Sequence, residues 1–398
     1  MKTFQELNTA ESFHAIAAER AARIDAASTA AIPQLNPVNR LAKRLHPDRQ
    51  YMKIAQVTEL APDTKRFRFV PDPARGTTEC APFLAGQYLN IHLTINGMPA
   101  NRAYSISSSP KNAREGYYEL TLKYVQDGLV SRYVLDNWKE GDEVELSGPA
   151  GTFYYSPLRD AKTVVCLAGG SGVTPFLSLA NAIADGDEDF RMILLYGSRT
   201  EDAILYKAEF DRLAKDDRIQ VVHVLSDEEK PGFEHGFITA ELIKKYGGEE
   251  YSIFMCGPQA MYNFLDGEIA KLGLRRKFVR RELFGMIKDP WNQPGYPEDI
   301  RGKTFNLKVI QCGKEYDITA SADEPLLTSI ERAGITAPSR CRSGECSWCR
   351  SKLVSGKVFV PEKTDGRRRA DIEFGYIHPC ASFPMSDIVL DVPNSTLK

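Results

Sequence analysis

Four cysteines near the C-terminal end constrain this sequence more than any other feature. Cys341, Cys346 and Cys349 form a Cys-x4-Cys-x2-Cys triplet, and Cys380 follows after a further 30 residues. For the four thiolates to meet, the triplet must curl round a common centre and one distant residue must close it. This is the spacing of plant-type [2Fe–2S] centres. A structural zinc site of four cysteines usually pairs two short Cys-x2–4-Cys knuckles, whereas here one compact triplet faces a singleton. Gly344 inside the loop permits a positive φ and lets the backbone present N–H groups to sulfur, and such hydrogen bonds help set a reduction potential. The remaining cysteines, Cys80, Cys166, Cys256 and Cys312, are scattered, and eight in 398 residues are too few for a disulfide scaffold. A reducing compartment is expected.

The length, 398 residues, suggests two or three domains, and 42% hydrophobic residues provide a core for each. Fifty-one basic against 53 acidic side chains leave a formal charge of −2, so no global field exists to grip nucleic acid or an anionic membrane. No apolar run approaches the roughly 18 residues of a membrane span, and the first 30 residues lack the pattern of a secretion signal. A soluble, cytoplasmic protein with no nucleic-acid partner and no membrane insertion is expected.

Hydrophobic period divides the chain. Residues 1–50 form a helical N-terminal extension: Phe13, Ile16, Ala17, Ile24 and Ala27 make a weak apolar stripe, Pro33 and Pro37 break it, and a short basic helix lies around Arg40–Leu45. Such a leader either packs on the body or on another subunit, or docks a partner. Residues 51–155 change to period two, with runs at 51–57, 65–70, 88–95 and 118–124, which implies an antiparallel β-barrel. Over 156–284 the apolar runs Thr163–Ala168, Met192–Gly197, Gln220–Leu225, Tyr251–Cys256 and Lys277–Glu282 alternate with helical patterns at about 175–184, 202–215, 238–246 and 258–272. This predicts an α/β domain with a parallel sheet and ligands at the carboxyl ends of its strands. Residues 285–303, rich in Gly and Pro with Trp291 and Tyr296 among them, read as a linker lying on a surface. Residues 304–398 predict a strand pair, a helix at 325–334, the cysteine loop and further short strands.

Arg102-Ala103-Tyr104-Ser105 sits at the start of a predicted barrel strand, and Gly128-Leu129-Val130-Ser131 at the start of the only helix expected there. A flavin needs an aromatic wall, a donor near N5, and positive charge with backbone N–H groups for its phosphates, which these residues can supply. With Gly148-Pro149-Ala150-Gly151 beyond them, the set resembles the ferredoxin–NADP reductase superfamily over about residues 51–284. The resemblance implies that Tyr104 stacks on the isoalloxazine, Ser105 faces N5, Arg102 holds the phosphates, and Gly128 and Ser131 bind the pyrophosphate. Arg132-Tyr133 after the helix start looks more like the FAD-binding members than the FMN-binding branch.

Ala168-Gly169-Gly170-Ser171-Gly172-Val173-Thr174-Pro175 follows an apolar strand and opens a helix, whose N-terminus offers free N–H groups to phosphates while the glycines admit a dinucleotide. This stretch and Cys256-Gly257-Pro258 are similar to the two nicotinamide motifs of the same superfamily. By that resemblance Gly169, Gly170, Gly172, Thr174, Gly257 and Pro258 contact the nucleotide. Cys256 sits near nicotinamide C4, where it orients transfer without acting as a nucleophile. Glu282-Leu283-Phe284 fits the terminal Glu-x-Phe that closes over the flavin edge, although Glu282 could instead pair with Arg280 or Arg281. At the adenosine end, relatives that use NADPH carry Ser-Arg where this chain has Ser226-Asp227-Glu228-Glu229, so carboxylates such as Asp227 favour NADH; Arg199, near the same ribose, leaves NADPH open.

Residues 304–398 resemble the plant-type ferredoxin β-grasp domain. Trp348 replaces the small residue common before the third cysteine, as a rim contact for an acceptor or as interdomain packing. Fourteen Lys and Arg against 12 Asp and Glu over 303–398 exclude an acidic face like that of soluble plant ferredoxins, and Arg367-Arg368-Arg369 reads as a solvated charge run or a dock for an acidic partner. The whole order, flavin then nucleotide then cluster, resembles the reductase components of Rieske and di-iron oxygenases and the hybrid-cluster-protein reductases. It implies a reductase in which NAD(P)H gives a hydride to FAD and single electrons leave through the cluster to a protein acceptor. A redox-sensing or assembly subunit, and a flavin reductase acting directly on a small molecule, stay open as readings.

Overall fold

The computed structural model describes residues 10–28 and 36–394. Three sheets follow one another along the chain. In the first, β1 (Gln50–Ala61), β2 (Thr64–Pro71), β3 (Tyr88–Ile95), β4 (Met98–Ser105), β5 (Tyr118–Lys123) and β6 (Glu143–Ala150) form an antiparallel sheet in the order β4-β3-β6-β1-β2-β5. A bridge between Ile106 and Leu120 ties its two edges together, so the sheet curls closed. Alternate side chains point inward, and Met52, Ile54, Phe67, Phe69, Leu89, Ile91, Leu120, Leu122, Val144 and Leu146 fill the interior.

Two strand assignments differ from the sequence reading. The segment Arg102–Ser105 ends β4 rather than starting a strand, because Asn101 and Arg102 interrupt the apolar alternation without interrupting the ladder to β3. The domain also has two helices, α3 (Pro110–Arg114) and α4 (Leu129–Asn137); α3 is a single capped turn opened by Ser109 and Pro110, too short to show a helical stripe.

In the second sheet, β7 (Thr163–Gly169), β8 (Arg191–Ser198), β9 (Ile219–Leu225), β10 (Glu234–His235), β11 (Ser252–Cys256) and β12 (Val279–Glu282) lie parallel in the order β10-β9-β8-β7-β11-β12. The chain doubles back beside β7, which creates a crevice at its carboxyl end. Both faces are buried: Val164, Cys166 and Ala168 join one core under α5 (Thr174–Ala184) and α6 (Lys207–Leu213). Val165 and Leu167 join another under α7 (Ala240–Gly247) and α8 (Gln259–Ala270). The expected helix over 202–215 is cut to α6 because Tyr206 adopts φ +61, which separates it from a short 3-10 turn at Glu201–Ala203. Ala85, Phe153 and Tyr155 from the first unit enter the core of the second, so the two share packing.

The third sheet comprises β13 (Thr304–Gln311), β14 (Lys314–Ser321), β15 (Ser351–Ser355), β17 (Tyr376–Ile377) and β19 (Ile388–Asp391) in the order β14-β13-β19-β15-β17. A small pair, β16 (Val358–Phe359) with β18 (Phe383–Pro384), lies beside it. Helix α9 (Leu326–Arg332) packs Leu326, Leu327 and Ile330 on this sheet, and α10 (Arg369–Glu373) follows the cysteine loop. Within 285–303, Tyr296 and Ile300 are buried against Ala322, Phe359 and Phe383, so this segment is packed against the third unit along much of its length.

The leader begins with α1 (Ala10–Asp25), whose His14 ring meets Phe374 edge-on at 4.9 Å. The expected stripe is not buried there: Ile16 and Ile24 are exposed, and the Phe13 side chain and Pro33 lie outside the described residues. Helix α2 (Pro37–Leu45) starts at Pro37, consistent with the preference of proline for a first turn.

Candidate functional site

At the end of the first barrel, Arg102, Tyr104, Gly128 and Ser131 line one cavity of about 1010 Å³ together with Phe284, Cys341 and Arg342. Six of these seven residues were candidates from sequence, and they come from all three units. The start of α4 explains the Gly-x-x-Ser spacing. A Cβ on Gly128 would lie 2.5 Å from Ser131 Oγ, and that hydroxyl accepts the Val125 N–H at 3.2 Å. Arg102 is half-buried, donating from Nη1 to the Asn101 carbonyl at 2.7 Å. Burial pushes the Tyr104 hydroxyl up to about 12, so the ring is a neutral, apolar wall at ordinary pH.

Ser105, Cys256 and Glu282 are all buried and do not line this cavity. Ser105 is buried and pairs in register with Tyr88, whose ring meets Phe284 edge-on at 5.3 Å. Cys256 and Glu282 face each other across adjacent parallel strands. Burial, with Glu282 as a secondary cause, raises the Cys256 thiol well above its ordinary range, so it stays protonated and is no nucleophile. Burial, then Glu345 and Cys341, raises the Glu282 carboxyl likewise. The alternative pairing of Glu282 does not occur: Arg280 binds Asp160 at 2.6 Å and Arg281 binds Asp266 at 2.6 Å. Among the described residues Glu282 makes no ion pair, and its Oε2 lies 3.9 Å from where a Gly151 Cβ would stand.

The nucleotide motifs pack on each other. A Cβ on Gly172 would fall 2.3 Å from the Cys256 carbonyl oxygen, and one on Gly169 would fall 3.0 Å from Pro258. A Cβ on Gly257 would strike Met261 Sδ at 2.5 Å. These glycines therefore seat one motif against the other, whereas Gly170, at φ +53 with open space around it, is the one that leaves room for a ligand. Thr174 donates its hydroxyl to Ser171 O at 3.1 Å, closing the 3-10 turn at the head of α5. Across the crevice, Asp227 N–H donates to the Arg199 carbonyl at 3.0 Å, which brings the two adenosine-end candidates side by side and exposed.

In the cysteine loop the sulfurs meet as two pairs. Cys349 and Cys380 lie 3.3 Å apart, and the Cys346 thiol hydrogen-bonds Cys341. All eight cysteines are free of disulfides. Among the described residues no three His, Cys, Asp or Glu side chains gather to hold a single ion. A mononuclear zinc centre needs four ligands around one point, so two separate pairs suit a group with two irons. Ser343 N–H and Cys346 N–H approach Cys341 Sγ at 3.5 and 3.4 Å, supplying the expected hydrogen bonds to sulfur from residues beside Gly344 rather than from Gly344. With those bonds, the Cys346 thiol draws Cys341 down to about 5. Gly344 has φ +88, and a Cβ there would stand 2.1 Å from Thr364 O. Trp348 is 39% exposed with the Arg340 guanidinium 3.5 Å over its ring, so it lies at the rim of the loop. In the arginine run, Arg367 pairs with Asp365 and Arg368 with Asp371.

Three family models match in chain order: an oxidoreductase FAD-binding domain over residues 51–155, an oxidoreductase NAD-binding domain over 166–266, and a 2Fe-2S iron-sulfur cluster binding domain over 309–385. The NADH-cytochrome b5 reductase 1 of Lodderomyces elongisporus is 32% identical over 239 residues, covering 58% of this chain and 77% of that protein. The chain belongs to the ferredoxin–NADP reductase superfamily. It is a flavin-dependent reductase of that superfamily with a C-terminal [2Fe–2S] domain. The ferredoxin reductase component of 3-ketosteroid-9-alpha-monooxygenase from Mycolicibacterium smegmatis is 29% identical over 348 residues, 85% of this chain and 95% of that one. Phthalate dioxygenase reductase shares the fold with a TM-score of 0.61, at 24% identity over 87% of this chain and 98% of that one. FAD, a nicotinamide nucleotide and a [2Fe–2S] cluster are thus its cofactors, and it is an oxidoreductase. No described helix is long and apolar enough to cross a membrane.

Sequence reasoning missed Tyr88, Arg340, Arg342 and Glu331. Tyr88 opens a strand already read as such, and nothing in its spacing marks it. Arg342 carried a signal that went unused: a long cation placed directly after a cluster cysteine, where the loop has to bury most of what it holds.

Proposed function

We propose that this reductase takes electrons from NADH and hands them singly to the metal centre of an oxygenase-type partner protein in the cytoplasm. When bound, FAD accepts a hydride from the nicotinamide and its two electrons leave one at a time through the [2Fe–2S] cluster. One observation carries the reading: Cys341 of the cluster loop forms part of the wall of the cavity lined by Tyr104 and Arg102. A small-molecule flavin reductase has no need for a cluster ligand in that wall, and a sensor has no need for a nucleotide crevice opening beside it.

The residues divide the work. Tyr104 and Phe284 supply the flat walls for the isoalloxazine, and Arg102, Gly128 and Ser131 take the diphosphate. Ser105, Cys256 and Glu282 supply neutral, buried groups beside the transfer position, so they orient the nicotinamide without adding a charge that hydride transfer would have to overcome. Gly170 leaves room for the nucleotide, and Asp227 disfavours a 2′-phosphate. Cys341, Cys346, Cys349 and Cys380 would hold the [2Fe–2S] cluster. The functional units are taken as 51–155 for FAD, 156–284 for NADH and 304–398 for the cluster, with 285–303 joining them and 1–50 as an extension.

Cys346→Ser tests the reading. Loss of the cluster should leave NADH-driven ferricyanide reduction within about two-fold and lower cytochrome c reduction by at least about tenfold, with iron content reported alongside. Undiminished cytochrome c reduction in iron-free protein would mean that the acceptor draws directly on the flavin, and the proposal would fall.

A further inference from the structure

A second cavity, of about 1040 Å³, takes no part in the chemistry above. It runs along β12, between the stretch that follows β6, the end of α8 and the cluster loop. Its charge is largely of one sign: Arg159, Arg276, Lys277, Arg280, Arg281 and Lys363 line it with Asp266 and Glu345. Asp160 neutralises Arg280 from behind, and the single carboxylate of Asp266 serves both Arg281 at 2.6 Å and Lys363 at 3.3 Å. Arg159, Arg276 and Lys277 are exposed and pair with no carboxylate among the described residues. Six cations against Asp160, Asp266 and Glu345 leave a surplus of three positive charges, in a chain whose formal charge is −2. The cations are held in place. Arg159 Nε donates to the Lys277 carbonyl at 2.9 Å, and the Lys277 ammonium sits 4.6 Å over the Phe278 ring. Next to Arg159, Leu158 is 98% exposed, an apolar contact ready for whatever settles on these charges. Glu345 brings the cavity to the cluster: one peptide unit, about 3.8 Å from Cα to Cα, separates it from the ligand Cys346, which is itself exposed.

We propose that this basic cavity is the docking surface for the electron acceptor, and that the acceptor meets it with an acidic face of its own. This rests on the reading above, in which electrons leave through the cluster to a partner protein. A local surplus of charge steers an oppositely charged protein into register and speeds its arrival without holding it long, which suits a partner that must leave after each electron. The geometry favours a protein over a small anion. The cations stand on the nucleotide unit, the third unit and the stretch that joins the barrel to the nucleotide unit, spread round an open mouth rather than focused on one point. The helix end that faces them, at Ile269 and Ala270, is the carboxyl end of α8, whose dipole repels a tightly held anion. An acceptor seated there would cover Leu158 and lie against the loop that carries the cluster.

The test uses the full-length holoprotein and two haem acceptors, cytochrome b5 with an acidic face and cytochrome c with a basic one. Arg276→Glu combined with Lys277→Glu should lower kcat/KM for cytochrome b5 at least about tenfold at low ionic strength, leave flavin reduction by NADH within about twofold in stopped flow, and not slow cytochrome c. Salt at about 0.5 M should erase most of the difference, because it shortens the reach of the charges to a few ångströms. Leu158→Ser should lower kcat/KM for cytochrome b5 several-fold and leave its salt dependence unchanged. Equal losses with the two cytochromes, or no loss with cytochrome b5, would overturn the docking surface. Pyrophosphate that slows flavin reduction in the native protein and not in the charge-reversed one would make the cavity a small-anion site and overturn it as well. Iron-free Cys346→Ser separates the two levels. If it reduces cytochrome b5 as fast as the holoprotein does, the relay through the cluster falls; if the cluster is required and charge reversal costs nothing, only the docking surface falls.

Discussion

His92 on β3 shows how a single side chain ties the barrel to pH. Its Nε2 lies 2.7 Å from Ser147 Oγ on β6, and burial first, then Arg49 and Arg340, lowers it from 6.5 to about 3. Below its ordinary value the unfolded chain takes up a proton that the folded barrel refuses until about pH 3. The stability due to a neutral His92 is therefore complete above about pH 6.5 and is lost as the pH falls towards 3, by at most about 1.4 kcal/mol per unit. His92→Gln should recover about 1–2 kcal/mol of the difference in urea stability between about pH 7.5 and about pH 4.5. An unchanged difference would place the acid-sensitive group elsewhere. Asp227 is the other residue whose behaviour follows from its surroundings. Glu228 accepts the Glu201 N–H at 2.9 Å and pairs with Lys230, so it is engaged, while among the described residues the Asp227 side chain is held by Ser226 alone, at 2.6 Å. Replacing Asp227 with Ala should raise the NADPH-to-NADH ratio of kcat/KM about tenfold, the size of one like-charge contact in a partly solvated site.

Whole elements were legible wherever apolar residues repeat. The five long nucleotide-domain strands appear in the sequence because both faces of a parallel sheet are buried, so Val, Ile and Leu run almost unbroken through β7 and β8. Strand β4 was hard to place because its partners come from the backbone ladder while its side chains, Asn101 and Arg102, serve the cavity and the cluster loop. Helix α6 was overestimated because nothing in the local pattern signals the turn at Tyr206; its hydroxyl reaches Thr121 on the barrel, a partner 85 positions away. The same kind of long-range tie joins β12 to the segment before β7. Arg280 and Asp160 form an ion pair with side chains 5% and 0% exposed, and Arg280 also donates to Thr152 O at 2.6 Å. Asp160→Asn should destabilise the protein by about 3–5 kcal/mol in urea, since it strands a buried guanidinium, and a loss below about 1 kcal/mol would show that water reaches the pair.

At the level of the molecule, the order of the units was legible because each carries a short motif whose spacing is local: Arg-x-Tyr-Ser, the glycine run, and the cysteine triplet. Their mutual arrangement was not. Asn101 and Ser339 are 238 positions apart and exchange two hydrogen bonds, Nδ2 to O at 2.8 Å and Oγ to Oδ1 at 2.7 Å, which fix the cluster loop to the barrel. No periodicity encodes such a contact, and Asn101 and Ser339 are ordinary polar residues in the sequence. The chain between the second and third units has a further consequence. Phe284 packs with Tyr88, Ala103 and Ala150, and Ile287 already packs with Tyr296 and Phe383, so only Gly285 and Met286 separate two anchored residues. Fully stretched, that leash measures about 10 Å. Diluting the protein a thousandfold would thus leave the hand-over inside each molecule at the same speed, and only the concentration of an outside acceptor would govern how often one arrives to collect.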